Sequence, residues 1–235
     1  MQLDEFYSTD GERFFFSREQ ASRFAKHIAG DFNPIHDPDS KRFCVPGDLV
    51  FALVLARYGL CRHMAFRFTS MVDDQARLAL VETAPGQLSV QDQNGKECLG
   101  VTCEGEKIGN AEQIAELTRR YVEFSGQTFP HILVPLMQAR QVMINPQRPM
   151  VIYHSMIIDL DTPEFRDPEL KMTETRLDVE GKRGHARLCF ELHDGDRLIG
   201  RGEKNMILSG LRPYDQAGID HLIGEHTRHK AAYVG

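Results

Sequence analysis

Asp31 and His36 stand five positions apart in Gly30-Asp31-Phe32-Asn33-Pro34-Ile35-His36, a short stretch rich in turn formers. A carboxylate and an imidazole held close together, with no serine or cysteine nucleophile beside them, suit acid–base work on water. Asn33 and Pro34 stiffen the segment between the two, because Asn closes Asx-turns and Pro fixes its own φ. The plain alternative is an ordinary turn after a helix. Asp-x-Asn-Pro is a common turn sequence, and a histidine just past a proline is often only a surface residue. The choice between these readings depends on the elements that carry the stretch.

Upstream, Ser17-Arg18-Glu19-Gln20 reads as a capping box. Ala21, Phe24, Ala25 and Ile28 recur at helical spacing, and Gly30 ends that helix by taking the left-handed conformation. Pro34, Pro38, Pro46 and Gly47 exclude a continuous helix over 31–47, and Asp48 is placed to cap a second helix. That helix, 49–60, is apolar on most faces and should be buried all round. Alternation then predicts strands over 64–69, 76–82, 88–91 and 98–103, the last two joined through Gln93-Asn94-Gly95-Lys96, where Asn-Gly is a strong hairpin signal.

The second half repeats this order. A helix is expected over 111–124, ended by Ser125-Gly126, and Pro130 opens another apolar helix over 132–142. Strands follow near 151–158 and 171–179, and a hairpin turns at Asp194-Gly195 between 185–192 and 198–208. Pro46 leads to Ala56-Arg57 much as Pro130 leads to Ala139-Arg140. The reading is a tandem duplication, with units at 1–110 and 111–210 and a helical tail at 211–235, its helix near 216–229 lying on the outside. The fold class expected is α+β. A long helix buried against a curved antiparallel sheet is the hotdog layout, and two such units fused in one chain make a double hotdog.

The 235 residues are 41% apolar, enough for a large core. A net charge of −6 with no basic run argues against a nucleic-acid partner. The first twelve residues are acidic and polar, unlike a signal peptide. The best apolar stretch, 49–55, falls far short of the roughly 20 residues a bilayer span needs, so no membrane role is expected. Five cysteines, odd in number and without a C-x-x-C pair, read as reduced thiols of a cytoplasmic protein. His221, His226 and His229 in the tail read as solvated rather than as a metal site, which needs three or four convergent ligands. His27 should be exposed, and the spacing of Gly105 to Gly109 is not that of a phosphate-binding loop.

The segment Lys26-His27-Ile28-Ala29-Gly30-Asp31-Phe32-Asn33-Pro34-Ile35-His36 resembles the MaoC-like, (R)-specific enoyl-CoA hydratase family of hotdog proteins. In that family a helix ends in Ala-x-x-Ser-Gly-Asp-x-Asn-Pro-(Ile/Leu/Val)-His. Gly30, Asp31, Asn33, Pro34 and His36 match, and the resemblance covers about residues 18–60, resting beyond that on element order alone. Ala29 replaces the family serine, and Pro46-Gly47 stands where the family has His-Gly. The loop from His36 to Gly47 is shorter, and an apolar position near Leu55 replaces a small polar one. In the second half, Gly126-Gln127-Thr128-Phe129-Pro130 occupies the place of Gly30 to Pro34. There the acid has become Gln127 and Ile132 stands in the histidine position, so one active site per chain is expected.

The resemblance implies an acyl-thioester hydro-lyase that reversibly hydrates a trans-2-enoyl thioester to the 3-hydroxyacyl form, with Asp31 and His36 activating the water. The first backbone N–H of the buried helix, at Gly47, suits a thioester oxygen gaining charge. The acyl chain would run past Val50, Phe51 and Val54, with Asn33 shaping the loop. Lys41 and Arg42 would either meet coenzyme A phosphates or simply be solvated. No metal or redox cofactor is implied, since coenzyme A or an acyl carrier arrives as part of the substrate. A homodimer of double units is the assembly left open. Two alternatives remain: a non-catalytic acyl-thioester or metabolite-binding protein that keeps the fold, and a hotdog thioesterase.

Overall fold

The computed structural model describes residues 3–233, so residues 1–2 of the expected N-terminal unit and 234–235 of the tail lie outside the described residues. The chain is an α+β protein. A small hairpin, β1 (Ser8–Asp10) and β2 (Arg13–Phe15), precedes helix α1 (Arg18–Arg23). The capping box forms as expected: Gln20 N–H donates to Ser17 Oγ at 3.1 Å and Ser17 N–H to Gln20 Oε1 at 2.9 Å. The helix continues as a π-turn over Phe24–Ala29 and ends at Gly30, whose φ of 66° is the left-handed cap.

Helix α2 (Gly47–Tyr58) follows the loop, and every residue from Asp48 to Leu55 is buried. Pro46, not Asp48, occupies the N-cap position, and no side chain caps the helix. Asp48 lies inside the first turn and turns into the protein. Next come β3 (Leu60–Phe68), β4 (Ala79–Ala84), β5 (Gln87–Gln91) and β6 (Glu97–Ile108). The second half holds α3 (Ala111–Gly126), α4 (Leu133–Ala139), β7 (Val142–Met143), β8 (Val151–Leu160), β9 (Pro168–Glu180), β10 (Arg183–Asp194), β11 (Arg197–Ser209), β12 (Arg212–Pro213) and α5 (Gln216–Ala232).

Eight strands form one antiparallel sheet in the order β4-β5-β6-β3-β8-β11-β10-β9. Read outward from the centre, each half runs first, fourth, third, second strand. The halves meet where β3 pairs with β8, from His63 opposite Asp159 to Arg67 opposite Ser155. The largest buried cluster joins α2 (Leu49, Phe51, Leu53) and α3 (Leu117, Tyr121, Val122) to inward side chains of the central strands, such as Phe66, Val101 and Met156. A smaller cluster under α4 and α5 holds Met137, Leu188, Leu208 and Ile219.

The second half departs from the expected plan. Its apolar helix over 132–142 is only the short α4, and the chain turns to strand at Val142. The long helix there is α3, which runs through Ser125 and Gly126 instead of ending before them. Gly126 has a packing reason: a Cβ there would sit 1.9 Å from the Ala29 carbonyl oxygen, so glycine lets α3 lie against the end of the π-turn. The cysteines are not all separate thiols either. Cys61 and Cys103 are joined as a disulfide between neighbouring strands β3 and β6, with Cα atoms 5.7 Å apart. Sequence spacing could not reveal that pair, because the sheet ladder creates the proximity.

Candidate active site

The loop after Gly30 is fixed at several points. Asp31 N–H donates to the Ala25 carbonyl at 2.8 Å, which continues the wide π-turn into the loop. Asp31 Oδ1 accepts from Asn33 N–H at 2.9 Å, and Asn33 Oδ1 accepts from Ile35 N–H at 3.2 Å. These consecutive Asx-turns lead into a single 3-10 turn, Pro34–His36. Lys26 pairs with Asp37 at 2.6 Å, and the Arg18 guanidinium donates to the carbonyls of Pro38 and Ser40. The segment is therefore held from both sides by the helix that precedes it.

This bracing brings the expected pair together. His36 is buried, at 8% exposure, and its Nδ1–H donates to the Cys44 carbonyl at 2.6 Å. That bond leaves Nε2 as the titrating nitrogen, and Nε2 lies 3.5 Å from Asp31 Oδ2. That distance is at the long limit of a direct hydrogen bond. Burial opposes charge on both groups, yet the His36 bond and charge, with help from the Asn33 amide and Lys204, hold the Asp31 carboxyl below the usual range. Burial likewise lowers His36, but the Asp31 bond and charge and the Cys44 carbonyl outweigh it and raise the imidazole above its ordinary value. The pair therefore favours carboxylate and imidazolium together.

Asp31 and His36 line a cavity of about 640 Å³, a size typical of small-molecule sites. Asn33, Gly47 and Val50 line it too. Gly47 opens α2, so its N–H has no acceptor within the helix. A Cβ at Gly47 would meet Phe68 and Tyr153, whose stacked rings sit 4.4 Å apart, at 3.0 and 3.1 Å. The remaining expected residues do not reach the cavity. Phe51 and Val54 point into the core, where Phe51 packs on Phe66 and Tyr121. A helix buried on every side has only part of its circumference facing any one pocket, and here that part carries Val50. Lys41 and Arg42 are exposed and outside the cavity wall, since the short loop carries them out to solvent.

Three groups unforeseen from sequence as site residues add to the polar lining. Ser125 Oγ donates to Asp48 Oδ2 at 2.6 Å, and Lys204 Nζ donates to Ser125 Oγ at 2.5 Å and to the Ser125 carbonyl at 3.3 Å. All three residues are buried. Burial raises the Asp48 carboxyl against the pull of Lys204 and Ser125, and burial lowers the Lys204 ammonium against the pull of Asp48 and Asp31. Tyr153 lies 4.6 Å beneath the Lys204 ammonium, and its hydroxyl bonds that of Tyr121. A sequence signal for Lys204 did exist: it shares inward register on β11 with Met206 and Leu208.

The tail, expected outside, forms a wall. His221, Leu222, Glu225, His226 and His229 of α5 line the cavity. His226 meets Phe32 and Phe129 edge-on at centroid distances of 5.9 and 5.4 Å. Burial lowers its imidazole below the ordinary value. Among the described residues no group of three or more His, Cys, Asp or Glu is arranged to hold a metal ion, and no helix is long and apolar enough to cross a membrane.

The geometry defines an α+β protein whose cavity, between helices and a large antiparallel sheet, carries a carboxylate–imidazole pair beside a free helix-start amide. The chain belongs to the family described as protein of unknown function DUF3581, whose model matches residues 1–217. No curated protein matches the sequence at a significant level. Among solved structures, an acyl-CoA thioesterase II TesB2 from Mycobacterium marinum aligns at 10% identity and TM-score 0.47, over 92% of this chain and 99% of its own. A tesB protein from Mycobacterium avium subs paratuberculosis aligns at 9% identity and TM-score 0.49, over 88% and 96%. A MaoC-like dehydratase aligns at 8% identity and TM-score 0.44, over 88% and 99%.

Proposed function

We propose that the chain is a double hotdog that hydrates enoyl thioesters reversibly, with one active site built around Asp31 and His36. The observation that carries this reading is the pair itself, with Nε2 and Oδ2 3.5 Å apart in the cavity wall that also includes Gly47. The matching strand order of the two halves supports a duplicated hotdog, with the second unit stripped of its own acid and histidine.

In this mechanism a water sits between Asp31 Oδ2 and His36 Nε2. Asp31 carboxylate takes a proton as the water oxygen bonds to the β-carbon of the enoyl group. Electrons shift toward the thioester oxygen, which the Gly47 N–H holds as charge develops. The His36 imidazolium then gives its Nε2 proton to the α-carbon. The proton on Asp31 returns to His36 across their short gap, which restores the starting state. Coenzyme A or a carrier enters with the substrate and leaves with the product.

The test follows the ultraviolet absorbance of short and medium trans-2-enoyl-CoA substrates with native protein and with Asp31→Asn. Loss of the conjugated signal with native protein alone is expected. No loss with either protein, both folded, refutes hydration of these substrates. Release of free thiol from saturated acyl-CoA would instead favour thioester hydrolysis.

A further inference from the structure

Helix α5 walls the candidate site yet is tied to it loosely. His221, Leu222, Glu225, His226 and His229 line the cavity. Helix α3, which walls it too, is bonded to the rest of the protein through Ser125 to Asp48 and Arg120 to Asp167. For residues 216–233, every hydrogen bond and ion pair among the described residues stays within 214–233, such as those of Glu225 with Arg228 and His229. The first turn is anchored. Tyr214 N–H donates to the Gln141 carbonyl at 3.0 Å, Gly218 N–H donates to Asp215 Oδ2 at 2.8 Å, and Ile219 is fully buried in the smaller cluster. Beyond Ile223 the helix rests on aromatic edges. His226 meets Phe32 and Phe129, and Tyr233, just past the helix, meets Phe32 at a centroid distance of 5.8 Å. Gly224 falls between the anchor and these edges. Glycine is the weakest helix former after proline, and a Cβ here would meet nothing within 4 Å, so packing does not demand it.

We infer that α5 is a lid: its anchored first turn stays in place, while the part from Gly224 to Tyr233 lifts to admit a small molecule and latches again on Phe32. The inference goes beyond hydration, since it concerns access to the cavity whatever its occupant. Phe32 is the residue through which the lid meets the chemistry. It lies between Asp31 and Asn33, and it is 5% exposed, with the two α5 rings against it. A latched lid therefore holds the turn that carries Asp31 and keeps bulk water from the carboxylate–imidazole pair. A lifted lid releases both. Tyr233 is not part of the cavity wall, so it is a positioning residue that acts on Asp31 through Phe32. Elements held by few polar ties open locally while the main core stays folded, and lids are drawn from such elements.

The test is amide exchange of the full chain, read by mass spectrometry. In ligand-free protein the amides of 225–232 should exchange about tenfold or more faster than those of α3, through a local opening. Gly224→Ala should slow them about fivefold, because alanine steadies the helix without touching a neighbour. Tyr233→Ala should speed exchange about threefold or more, both in 225–232 and at the hydrogen-bonded amides of Asp31, Asn33, Ile35 and His36. Tyr233→Phe, which keeps the ring, should not. Strands β3 and β8 should stay unchanged in every variant. Octanoyl-CoA, a saturated thioester that the proposed reaction does not turn over, should slow 225–232 about tenfold or more once calorimetry shows it bound. Exchange in 225–232 as slow as in α3, no effect of Gly224→Ala, or a loop 31–36 indifferent to Tyr233→Ala overturns the lid. So does bound octanoyl-CoA that leaves α5 unprotected. Failure of octanoyl-CoA to bind counts against the thioester reading alone, and the ligand-free exchange then decides the lid.

Discussion

Replacing Lys204 by Met should destabilise the protein in a way that depends on pH. Lys204 is 5% exposed, and Asp48, the acid that pulls on it most, is 8% exposed. Ser125 stands between them, so the charges are linked through a hydroxyl rather than in direct contact. Breaking a buried pair costs about 3–5 kcal/mol, and the bridged geometry points to the low end, about 3 kcal/mol. Methionine fills the alkyl volume, so little of that is packing. The carboxyl has one escape, which is to take up a proton. For an acid that titrates near 3.9 when unfolded, holding the proton costs about 1.4 kcal/mol per pH unit, so the ceiling is about 4 kcal/mol at pH 7 and about 1.5 kcal/mol at pH 5. The sign follows from the raised carboxyl: the folded variant binds more protons than the unfolded chain, so stability relative to native recovers as pH falls. In thermal melts followed by circular dichroism, 3 kcal/mol corresponds to a drop of roughly 6–12 °C at pH 7. At pH 5 the drop should be at most about half that. The double variant Lys204→Met with Asp48→Asn should regain most of the loss, because no charge is left to strand. A single variant within about 1 kcal/mol of native at pH 7, or an equal loss at both pH values, would refute the linked-charge account.

The raised imidazole of His36 contributes stability that is complete below the unfolded value near 6.5 and fades as pH rises through the folded value. Urea melts of native protein and His36→Gln should differ most at pH 6 and converge toward alkaline pH, and hydration should show the same high-pH limb, lost with a 10²–10⁴-fold lower rate (an order-of-magnitude range) in the variant. Asp31, held low, supports stability above the unfolded carboxylate range, and that support is lost as pH falls through its folded value. Gly126→Ala should cost about 3 kcal/mol, at the upper end for overpacking, because the new Cβ meets the backbone of Ala29. It should also lower activity, since Ala29 directly precedes the Gly30–Asp31 step, and a denaturant melt with the enoyl assay reads both. His226→Ala removes the edge contacts of α5 with Phe32 and Phe129. Amide exchange should then speed up in α5 and stay unchanged in β3 and β8.

The parts of the fold legible in the sequence are those fixed by neighbours along the chain. The capping box of Ser17 and Gln20, the left-handed Gly30, the Asx-turn of Asn33 and the hairpins at Gly95 and Gly195 all formed where short-range chemistry placed them. The Asp31–His36 pair belongs to the same class, because both residues ride one braced turn. What escaped was long-range. Asp48 reads as a helix cap until Ser125, 77 positions later, arrives beside it, and Lys204 lies a further 79 positions beyond Ser125. The Cys61–Cys103 disulfide depends on the β3–β6 register in the same way. The apolar pattern over 132–142 promised a long helix, yet the helix ended at Ala139, and the strand pairing of Val142 and Met143 with β12 took the rest.

The pairing of β3 with β8 places two like half-sheets on one covalent chain. When identical halves come from separate copies of one gene, every substitution appears on both sides of the seam at once. Within one chain each side changes alone. The first half here carries the acid and the imidazole. The second contributes a serine and a lysine from α3 and β11 to the same hollow. The cavity therefore carries its unlike linings once per chain, where a symmetric pair of copies would carry every such feature twice.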